Sequence, residues 1–526
     1  MAGGKALPRR PRLDDRGRQQ RSPGPGRRDP AHREVLGGSM KPAYFEPLSP
    51  AEVQQIDAAS MEVLDSVGLH VGLKKARDAF GEAGAHVDET AHSVRIPEKL
   101  VRWAVEQAPS QFTLYGADPE FRLELGTDQV YFAGLGTPTN IIDTETGQLR
   151  PTTLEDLRNH LRLIDALPNI SNSQTDIWPN DIPMTTIHVE AILAWAQNCR
   201  KSFGLGCYAQ MPSEDMMNMV AIAVGGKEEL RQRPRFFGIC SVGSPLQMLK
   251  MQLEGLFHFV EYRQPLAMSP EAMAGSTAPV TLAGLLAQQN AEILAHVTLA
   301  QIVSPGTPVL YATVSTITDM ASGNLAQGGI ETGLVTAGAA QLARHYGLPC
   351  RGVGATTEAK SLDLQCMLER VANLMPAVLA GVHFITCAGT LESSTVESDP
   401  LLVLDDEICG MLLRLARGIE VNDNTIALDL IKQVGWQGNY LAERHTAQNF
   451  RREHFLPKLL PRDVRQTWEQ KGAKTTLDLA RERVRAILAK HQPRSLDPAV
   501  ERELQAYVAM VRERKMEDYL AAEWED

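Results

Sequence analysis

Eight short apolar runs recur between residues 130 and 389, and stretches with helical features separate each run from the next. The runs are VYFAG (130–134), ISNSQTDIW (170–178), SFGLGCY (202–208), RFFGICS (235–241), PLAMS (265–269), PVLYATV (308–314), PCRGVGA (349–355) and HFITCAG (383–389). Strands that are apolar along their whole length indicate a parallel sheet with both faces covered. Eight strand–helix units therefore favour an α/β fold, a closed (β/α)8 TIM barrel, over an open doubly wound sheet. No G-x-G-x-x-G follows a strand, which weakens the open-sheet alternative further.

Helical segments flank the predicted barrel on both sides. Before it, LSPAEVQQIDAASMEVLDSVG predicts a helix with Ser49 as N-cap, Glu52 completing a capping box and Gly68 as the stop. Within the barrel, Thr153 and Ser213 are candidate N-caps. After it, LDPAVERELQAYVAMVRER carries one apolar stripe. We therefore predict an N-terminal helical segment with small strands (45–128), the barrel (129–430) and a C-terminal helical extension (431–526) that packs on the barrel or on a second subunit.

The first residues differ in composition from the rest. Residues 1–39 contain ten Lys and Arg against four Asp and Glu, a charge of about +6, whereas the whole chain has a net charge of −11. This stretch is rich in Arg, Pro and Gly and poor in apolar residues, so it cannot offset the conformational entropy lost on folding. We expect residues 1–44 to be a disordered basic tail. The acidic remainder argues against a general nucleic-acid binder.

The cysteine pattern and the hydropathy of the sequence predict the cellular compartment of the protein. The seven cysteines are scattered, and no C-x-x-C pair occurs. This distribution is typical of reduced thiols in a cytoplasmic enzyme and predicts neither disulfides nor a metal site. No run of about 18 apolar residues exists, so no membrane span is expected.

Polar residues gather where the predicted strands end, which in a barrel of this type is where substrates bind. Asp176, Trp178, Glu271, Tyr311, Glu358, Thr386 and Glu392 form the predicted substrate-binding set. The other candidates are Cys207, Tyr208, Ser241, Thr313, Asp319, Thr356, Thr357 and the acidic triplet Asp405, Asp406 and Glu407. Carboxylates together with Trp and Tyr suit an organic cation. The alternative for any one acid is that it caps the following helix.

Common catalytic signatures are missing from the sequence. It contains no H-E-x-x-H, no G-x-S-x-G and no P-loop, and GNLAQGG (323–329) is interpreted as a plain loop. The histidine nearest to Cys387 in sequence, His383, lies at the other end of the same predicted strand, which puts it out of reach and disfavours Cys387 as a nucleophile. No individual catalytic residue can be assigned.

Several sequence blocks resemble the trimethylamine methyltransferase superfamily, whose members are corrinoid-dependent TIM-barrel enzymes. The blocks are LSPAEVQQIDAASMEVLDSVGLHV, RGVGATTEAKSLDLQ (351–365), ITCAGTLESSTVESDPLLVLDDEICGM (385–411) and RHTAQNFRREHFLPKLLPRD (444–463). The resemblance covers about nine-tenths of the chain. By resemblance, Glu392 and the Asp406–Glu407 pair match recurrent family positions. Thr386 falls where relatives often carry a larger polar side chain, so it departs from the family pattern.

The resemblance implies a particular branch of the family and a partner protein. The sequence has no pyrrolysine, so it resembles the branch that demethylates quaternary amines such as glycine betaine, proline betaine or carnitine. Such an enzyme moves a methyl group from a quaternary or tertiary amine to the Co(I) corrinoid of a carrier. The D-x-H-x-x-G signature of corrinoid carriers is absent, which implies a separate carrier protein that docks at the barrel mouth. We also expect a homo-oligomer.

Two other functions remain open at the level of the sequence. One is a barrel lyase or hydrolase that uses Glu358 and Glu392 as a carboxylate acid–base pair. The other is a non-catalytic binder of small cations. Fold-level analogy alone does not separate these from methyl transfer.

Overall fold

Eight parallel strands close into a barrel in the computed structural model, which describes residues 44–134, 136–174, 177–492 and 494–524. The strands are β1 (Tyr131–Gly134), β2 (Ile170–Ser173), β3 (Ser202–Gly206), β4 (Phe236–Val242), β5 (Leu266–Pro270), β6 (Val309–Ala312), β7 (Cys350–Val353) and β8 (Phe384–Ala388). Each strand pairs with the next in sequence, and β8 pairs with β1 through Phe384 and Tyr131. The predicted (β/α)8 barrel is confirmed, and six strands fall within their predicted runs, whereas β4 and β5 each extend one residue further, to Val242 and Pro270.

A long helix follows each strand. These helices are α1 (Leu154–Ala166), α2 (Ile187–Asn198), α3 (Gln210–Val224), α4 (Lys250–Glu261), α5 (Leu282–Val303), α6 (Ile330–His345), α7 (Leu364–Leu379) and α8 (Asp399–Ala416). Thr153 caps α1 as predicted and forms a capping box with Asp156. Ser213 is not an N-cap, because α3 begins three residues earlier and the Ser213 hydroxyl donates to the Tyr208 carbonyl instead. Short helices Met184–Thr186 and Lys227–Gln232 precede α2 and follow α3.

Two apolar cores lie on the two sides of the barrel wall. Outward-facing side chains such as Phe203 pack against the helices, where Phe203 stacks on Trp195 of α2. Inward-facing side chains fill the N-terminal half of the barrel, and Phe237 meets Phe384 edge to face there. The hairpin of Phe112–Tyr115 and Arg122–Leu125 contributes to this inner core. The apolar filling leaves the C-terminal half of the interior for polar side chains.

The N-terminal segment begins with the predicted helix, Pro50–Glu62, whose capping box joins Ser49 and Glu52. A short π-helical turn carries it to Gly68, where φ is +75° and an added Cβ would lie 2.3 Å from the Val94 carbonyl oxygen. Only glycine fits such a position, so the helix ends there. The remaining elements are strands Leu69–Val71, His86–Asp88 and Ser93–Arg95 and helices Lys74–Glu82 and Glu98–Gln107.

Short strands organise the loops at the C-terminal ends of the barrel strands. Asn140–Ile142 and Leu149–Pro151, which follow β1, join Thr390–Leu391 and Val396–Glu397, which follow β8, in one small sheet. Met273–Ala274, Thr316–Thr318 and Leu325–Ala326 form a second small sheet after β5 and β6. Gln247–Met248, after β4, pairs with Leu69–Val71 of the N-terminal segment. These pairings fix loops that carry the candidate site.

The C-terminal part contains packed helices and a projecting segment. The elements are Asp423–Ile426, Leu428–Val434, Arg444–Glu453, Arg465–Gln470, Thr476–Lys490, Pro498–Arg512 and Met516–Ala521. Thr476–Lys490 packs on α8 and α1, and Pro498–Arg512 packs on α2 and α3 through Leu504, Val508 and Val511. By contrast, no residue between 417 and 458 is buried. The proposed domain boundaries stay a prediction, and the basic tail falls almost wholly outside the described residues.

Candidate functional site

Glu271 lies at the C-terminal end of β5 and faces a concave space at the barrel mouth. Its side chain keeps exposed surface although protein atoms surround it closely, as expected for a group that lines a concavity. Burial raises the pKa of Glu271, while a hydrogen bond from Gln327 and the positive charge of Arg351 partly oppose that rise. A carboxylate with a raised pKa in a concave site is a candidate for ligand binding.

Gln327 connects two sides of the mouth. Its Nε2 donates to Glu271 Oε1 at 3.2 Å, and its Oε1 accepts from the Ser394 hydroxyl at 3.3 Å. The Gln327 carbonyl accepts from the Thr356 hydroxyl at 2.8 Å, which ties this loop to the end of β7. Residues 323–329 therefore lie at the mouth, where they form a loop that contains the short strand Leu325–Ala326. Sequence reasoning missed Gln327 because no motif marks a glutamine in a glycine-rich loop.

Glu358 is held by the loops that follow β6 and β8. Its Oε1 accepts from the Ser393 hydroxyl at 2.6 Å and from the Gly328 backbone N–H at 3.1 Å. Backbone hydrogen bonds also join the loop after β7, which carries Glu358, to the loop after β8, since Glu392 N donates to Ala359 O at 3.3 Å and Ser393 N donates to Thr357 O at 3.0 Å. The structure thus brings Glu358 and Glu392 to adjoining loops of one mouth. No direct hydrogen bond links their two carboxyl groups.

The loop after β8 has a strained backbone. Glu392, Ser393 and Ser394 have φ of +50°, +52° and +66° in succession, and Cys387, near the end of β8 itself, has φ of +85°. Non-glycine residues in this region cost of order 1–3 kcal/mol each and concentrate at functional sites. The conformation presents the Ser393 and Ser394 hydroxyls to Glu358 and Gln327.

A buried ion pair holds the start of this loop. Arg370 of α7 and Asp405 of α8 are both fully buried and form a salt bridge, with Arg370 Nε 2.9 Å from Asp405 Oδ1. Arg370 also donates to the carbonyls of Cys387 and Thr390, and Asp405 accepts from the Gly389 backbone N–H at 2.7 Å. These contacts satisfy backbone groups that the irregular turn would otherwise leave buried without partners. Asp405 therefore positions the loop rather than a ligand.

An aromatic pair lies after β2 and β3. The rings of Trp178 and Tyr208 meet edge to face with their centroids 6.2 Å apart, and both keep some exposed surface. An added Cβ on Gly206 would lie 2.7 Å from the Tyr208 ring, so the absence of a side chain at Gly206 makes room for this ring over the end of β3. Aromatic faces beside a carboxylate can hold an organic cation without any covalent step.

Other predicted residues lie elsewhere. Tyr311 faces the helices, where its hydroxyl donates to Asn290 of α5 at 2.9 Å and its ring stacks on Tyr346, so we withdraw it from the predicted set. Its neighbours along β6 face inward because side chains alternate along a strand. Asp176 lies outside the described residues. Thr386 is buried, and its hydroxyl donates to the Gly352 carbonyl at 3.2 Å.

The remaining acids and the cysteines have structural roles. Asp319 stabilises an exposed turn by accepting from Ser322. Asp406 accepts from the Asn169 backbone N–H at 2.7 Å, and Glu407 accepts from the Leu459 backbone N–H at 3.1 Å. Cys387 is fully buried, and burial raises the pKa of its thiol, which disfavours a thiolate nucleophile. In the part of the chain that the structure describes, no group of three or more His, Cys, Asp or Glu could hold a metal ion.

Comparison with known proteins decides the family. The profile described as trimethylamine methyltransferase (MTTB) matches residues 14–517. The chain belongs to this family. A glycine betaine methyltransferase of Desulfitobacterium hafniense strain Y51 is 34% identical over 475 residues, which cover 90% of this chain and 98% of that protein. A trimethylamine methyltransferase of D. hafniense strain DSM 10664 / DCB-2 is 33% identical over 461 residues, which cover 88% and 92%.

Membership of the trimethylamine methyltransferase family confirms the sequence-based resemblance. The chain is an enzyme, an amine methyltransferase of the corrinoid-dependent type, and neither the lyase or hydrolase alternative nor the non-catalytic binder is favoured. Among solved structures, the Methanosarcina barkeri monomethylamine methyltransferase is 12% identical with a TM-score of 0.43, covering 83% of this chain and 92% of that one. That likeness is too distant to support an argument about the site. No helix of the described residues is long and apolar enough to cross a membrane.

Proposed function

We propose that this enzyme takes a methyl group from a betaine-like quaternary amine, or from a tertiary amine, and passes it to the Co(I) corrinoid of a separate carrier protein. The observation that carries the proposal is the mouth itself, where the Trp178–Tyr208 pair lies after β2 and β3 and the Glu271 carboxylate lies after β5, at the same end of the barrel. Trp178, Glu271, Glu358, Thr386 and Glu392 are the predicted substrate-binding residues that we retain, and Asp176 stays a prediction. Tyr208 and Gln327 join them.

The task of the protein in this reaction is mainly positioning. A quaternary ammonium leaves as a neutral amine, so no acid is needed to activate the leaving group. Holding one N-methyl group in line with the acceptor converts an encounter into an oriented reaction. The corrinoid, when the carrier protein docks, supplies the nucleophile. Glu271 would stabilise the cation by charge, and the aromatic pair would stabilise it through the ring faces.

The carrier protein would dock at the open end of the barrel. Ser241 and Glu271 keep exposed surface at the ends of β4 and β5, so this end is accessible to solvent. The opposite end holds the apolar inner core and its hairpin. A methyl group that leaves toward the carrier must therefore point toward the mouth.

The segment 417–458 supports self-association. It projects from the C-terminal end of α8 without a buried residue, and Trp436 and Leu441 are 90% and 87% exposed. Barrel helices run back from the mouth, so the end of α8 lies away from the surface that the carrier needs. We therefore assign this segment to contacts between copies of the chain. A cytoplasmic location is consistent with the free state of all seven buried cysteines.

The test is a methyl-transfer assay with the full chain. The enzyme and a reduced corrinoid carrier are mixed with one methyl donor per reaction. The donors are glycine betaine, proline betaine, carnitine and trimethylamine. Visible absorption spectroscopy follows the methylation of the carrier, and mass spectrometry follows the demethylated amine in the same reaction. We expect turnover with at least one betaine and a large loss in Glu271→Gln, whereas Asp319→Asn, in an exposed turn, should match the wild type. If no donor changes the carrier's spectrum or releases demethylated amine, the proposed function is wrong.

A further inference from the structure

The segment 515–524 returns to the barrel helices after Pro498–Arg512 and contains the helix Met516–Ala521. Tyr519 is only 8% exposed, and Trp524 packs against the main apolar core. Both side chains lie outside the candidate site. Hydrogen bonds nevertheless link each residue to one of the two loops that carry the aromatic pair.

Trp524 is linked to the turn after β3 through the carboxylate of Glu254 on α4. The Trp524 backbone N–H donates to Glu254 Oε1 at 2.7 Å, and Glu254 Oε2 accepts from the Gln210 backbone N–H at 3.1 Å. Gln210 is the first residue of α3 and comes two residues after Tyr208. The N-cap residue of α3 is Ala209, whose side chain cannot accept a hydrogen bond, so Glu254 caps this helix from its neighbour.

The Trp524 ring is held on the same helix as Glu254. It stacks on His258 with the ring centroids 5.8 Å apart and meets Phe257 edge to face at 5.6 Å. The ammonium of Lys75 lies 3.6 Å from a Trp524 ring centroid, a favourable contact of a cation with an aromatic face. These ring contacts keep the Trp524 backbone N–H on the Glu254 carboxylate.

Tyr519 is linked to the loop after β2. Its hydroxyl donates to the Thr185 carbonyl at 2.8 Å. Thr185 belongs to the short helix Met184–Thr186, which lies in the same loop as Trp178. The Tyr519 ring also meets the His188 ring of α2 edge to face, with the centroids 6.3 Å apart. One short segment therefore contacts the supports of both aromatic rings.

Asp215 of α3 fastens the beginning of the segment independently of Trp524. It is 2% exposed, and it accepts from the Tyr507 hydroxyl at 2.8 Å and from Arg514 Nη1 at 2.6 Å. His188 Nε2 lies 3.0 Å from the same carboxylate. Burial opposes ionisation of Asp215, but the hydrogen bonds with His188 and Arg514 outweigh it and lower its pKa. The segment therefore stays anchored when its Trp524 end is altered.

We propose that the segment 515–524 positions the aromatic pair for the ammonium group of the methyl donor, through Tyr519 on one loop and through Trp524 and Glu254 on the other. The inference rests on the proposed function, in which the pair holds that cation. A ring that is fixed before binding loses less conformational entropy than a mobile one, so the contact with the cation is stronger. These residues act through the rings rather than on the donor itself, so they are positioning residues.

Hydrogen exchange of the full chain without ligand, followed by mass spectrometry, measures the link directly. Trp524→Ala should speed exchange in the peptide covering residues 208–213 about fivefold, because the cap on α3 loses its support. Tyr519→Phe should do the same for residues 181–188. Leu520→Ala is the matched control, since Leu520 lies on the same short helix but is 60% exposed, and it should change neither peptide. Exchange at the wild-type rate in residues 208–213 of Trp524→Ala would overturn the proposal.

Calorimetry with glycine betaine then tests whether the segment acts through Tyr208. Trp524→Ala should weaken binding about threefold in the wild-type background, but by less than about 1.5-fold in a Tyr208→Leu background, where the ring to be positioned is gone. Trp524→Phe, which keeps a ring on His258, should recover most of the affinity and is the milder change if Trp524→Ala does not fold. General damage would weaken binding by the same factor in both backgrounds, and that result, or no loss of affinity in Trp524→Ala, would overturn the proposal.

Failure of this inference can be distinguished from failure of the proposed function. If Trp524→Ala speeds exchange at residues 208–213 but the wild-type enzyme neither binds nor demethylates any quaternary amine, the link between segment and turn stands and the proposed reaction does not. If the wild-type enzyme demethylates glycine betaine while Trp524→Ala changes neither exchange nor affinity, methyl transfer stands and the positioning role does not.

Discussion

Replacing Asp406 by asparagine should stabilise the enzyme, and the gain should depend on pH. Burial raises the pKa of Asp406 to about 6 from its ordinary value of 3.8. The folded protein therefore binds this proton more tightly than the unfolded chain does, and ionisation above pH 6 lowers the free energy of unfolding. The difference between the two pKa values corresponds to about 3 kcal/mol. Asparagine keeps an oxygen that can accept from the Asn169 backbone N–H but never carries the charge.

The sign and the pH range of the effect follow from the linkage between proton binding and folding. At pH 8 both the folded and the unfolded carboxyl groups are ionised, so the full cost of about 3 kcal/mol applies. At pH 5 the folded group is mostly protonated while the unfolded one is mostly ionised, and about half of the cost remains. Below pH 4 the cost disappears. The advantage of Asp406→Asn over the wild type should therefore fall by about half between pH 8 and pH 5.

Urea unfolding at pH 8 and pH 5, followed by tryptophan fluorescence, measures this advantage. Asp405→Asn is the matched control on the neighbouring residue, because it removes the partner of a fully buried arginine. Breaking such a pair costs about 3–5 kcal/mol, so this variant should be destabilised at both pH values. An Asp406→Asn protein that is less stable than the wild type at pH 8, or whose advantage is equal at both pH values, would refute the reasoning.

Three further predictions concern the site and the projecting segment. Gln327→Ala removes a hydrogen bond that holds the pKa of Glu271 down, so the acidic limb of the kcat/KM–pH profile should move to higher pH; an unchanged profile would exclude that role. Tyr208→Leu should weaken binding of the quaternary amine roughly fivefold in calorimetry, whereas Tyr208→Phe, which keeps the ring, should not. Trp436→Ser should reduce the mass that light scattering gives for the wild-type oligomer, whereas Leu364→Ser, on exposed α7 surface, should not; a monomeric wild type would contradict this prediction.

The eight strands were predictable because their cause is local. A parallel strand covered on both faces must be apolar along its length, and this pattern is visible in the sequence without any tertiary information. The N-terminal helix was predictable for a similar reason, since Ser49, Glu52 and Gly68 act within a few residues of one another. The family likeness rested on the order of several blocks and was confirmed by the match to residues 14–517.

The site was only partly predictable, because a strand-end position does not fix the direction of a side chain. Tyr311 and Ala312 are neighbours on β6, yet Tyr311 packs outside the barrel and Ala312 inside it. The run PCRGVGA shows that Arg351 is a charge within an apolar strand, but only its pairing with Ala312 and Phe384 shows that the side chain points into the barrel. Gln327 had no such signal, because its contacts with Glu271 and Ser394 depend on two loops far apart in sequence.

The acidic triplet on α8 shows most clearly what the sequence determines and what only the tertiary structure decides. The sequence by itself determined that Asp405, Asp406 and Glu407 lie on the helix that follows the last barrel strand. Successive residues of a helix point about 100° apart. In the tertiary structure, Asp405 therefore binds Arg370, Asp406 binds Asn169 and Glu407 binds Leu459. Local pattern decides which elements form, whereas the partners of each side chain depend on elements that come together only when the barrel closes.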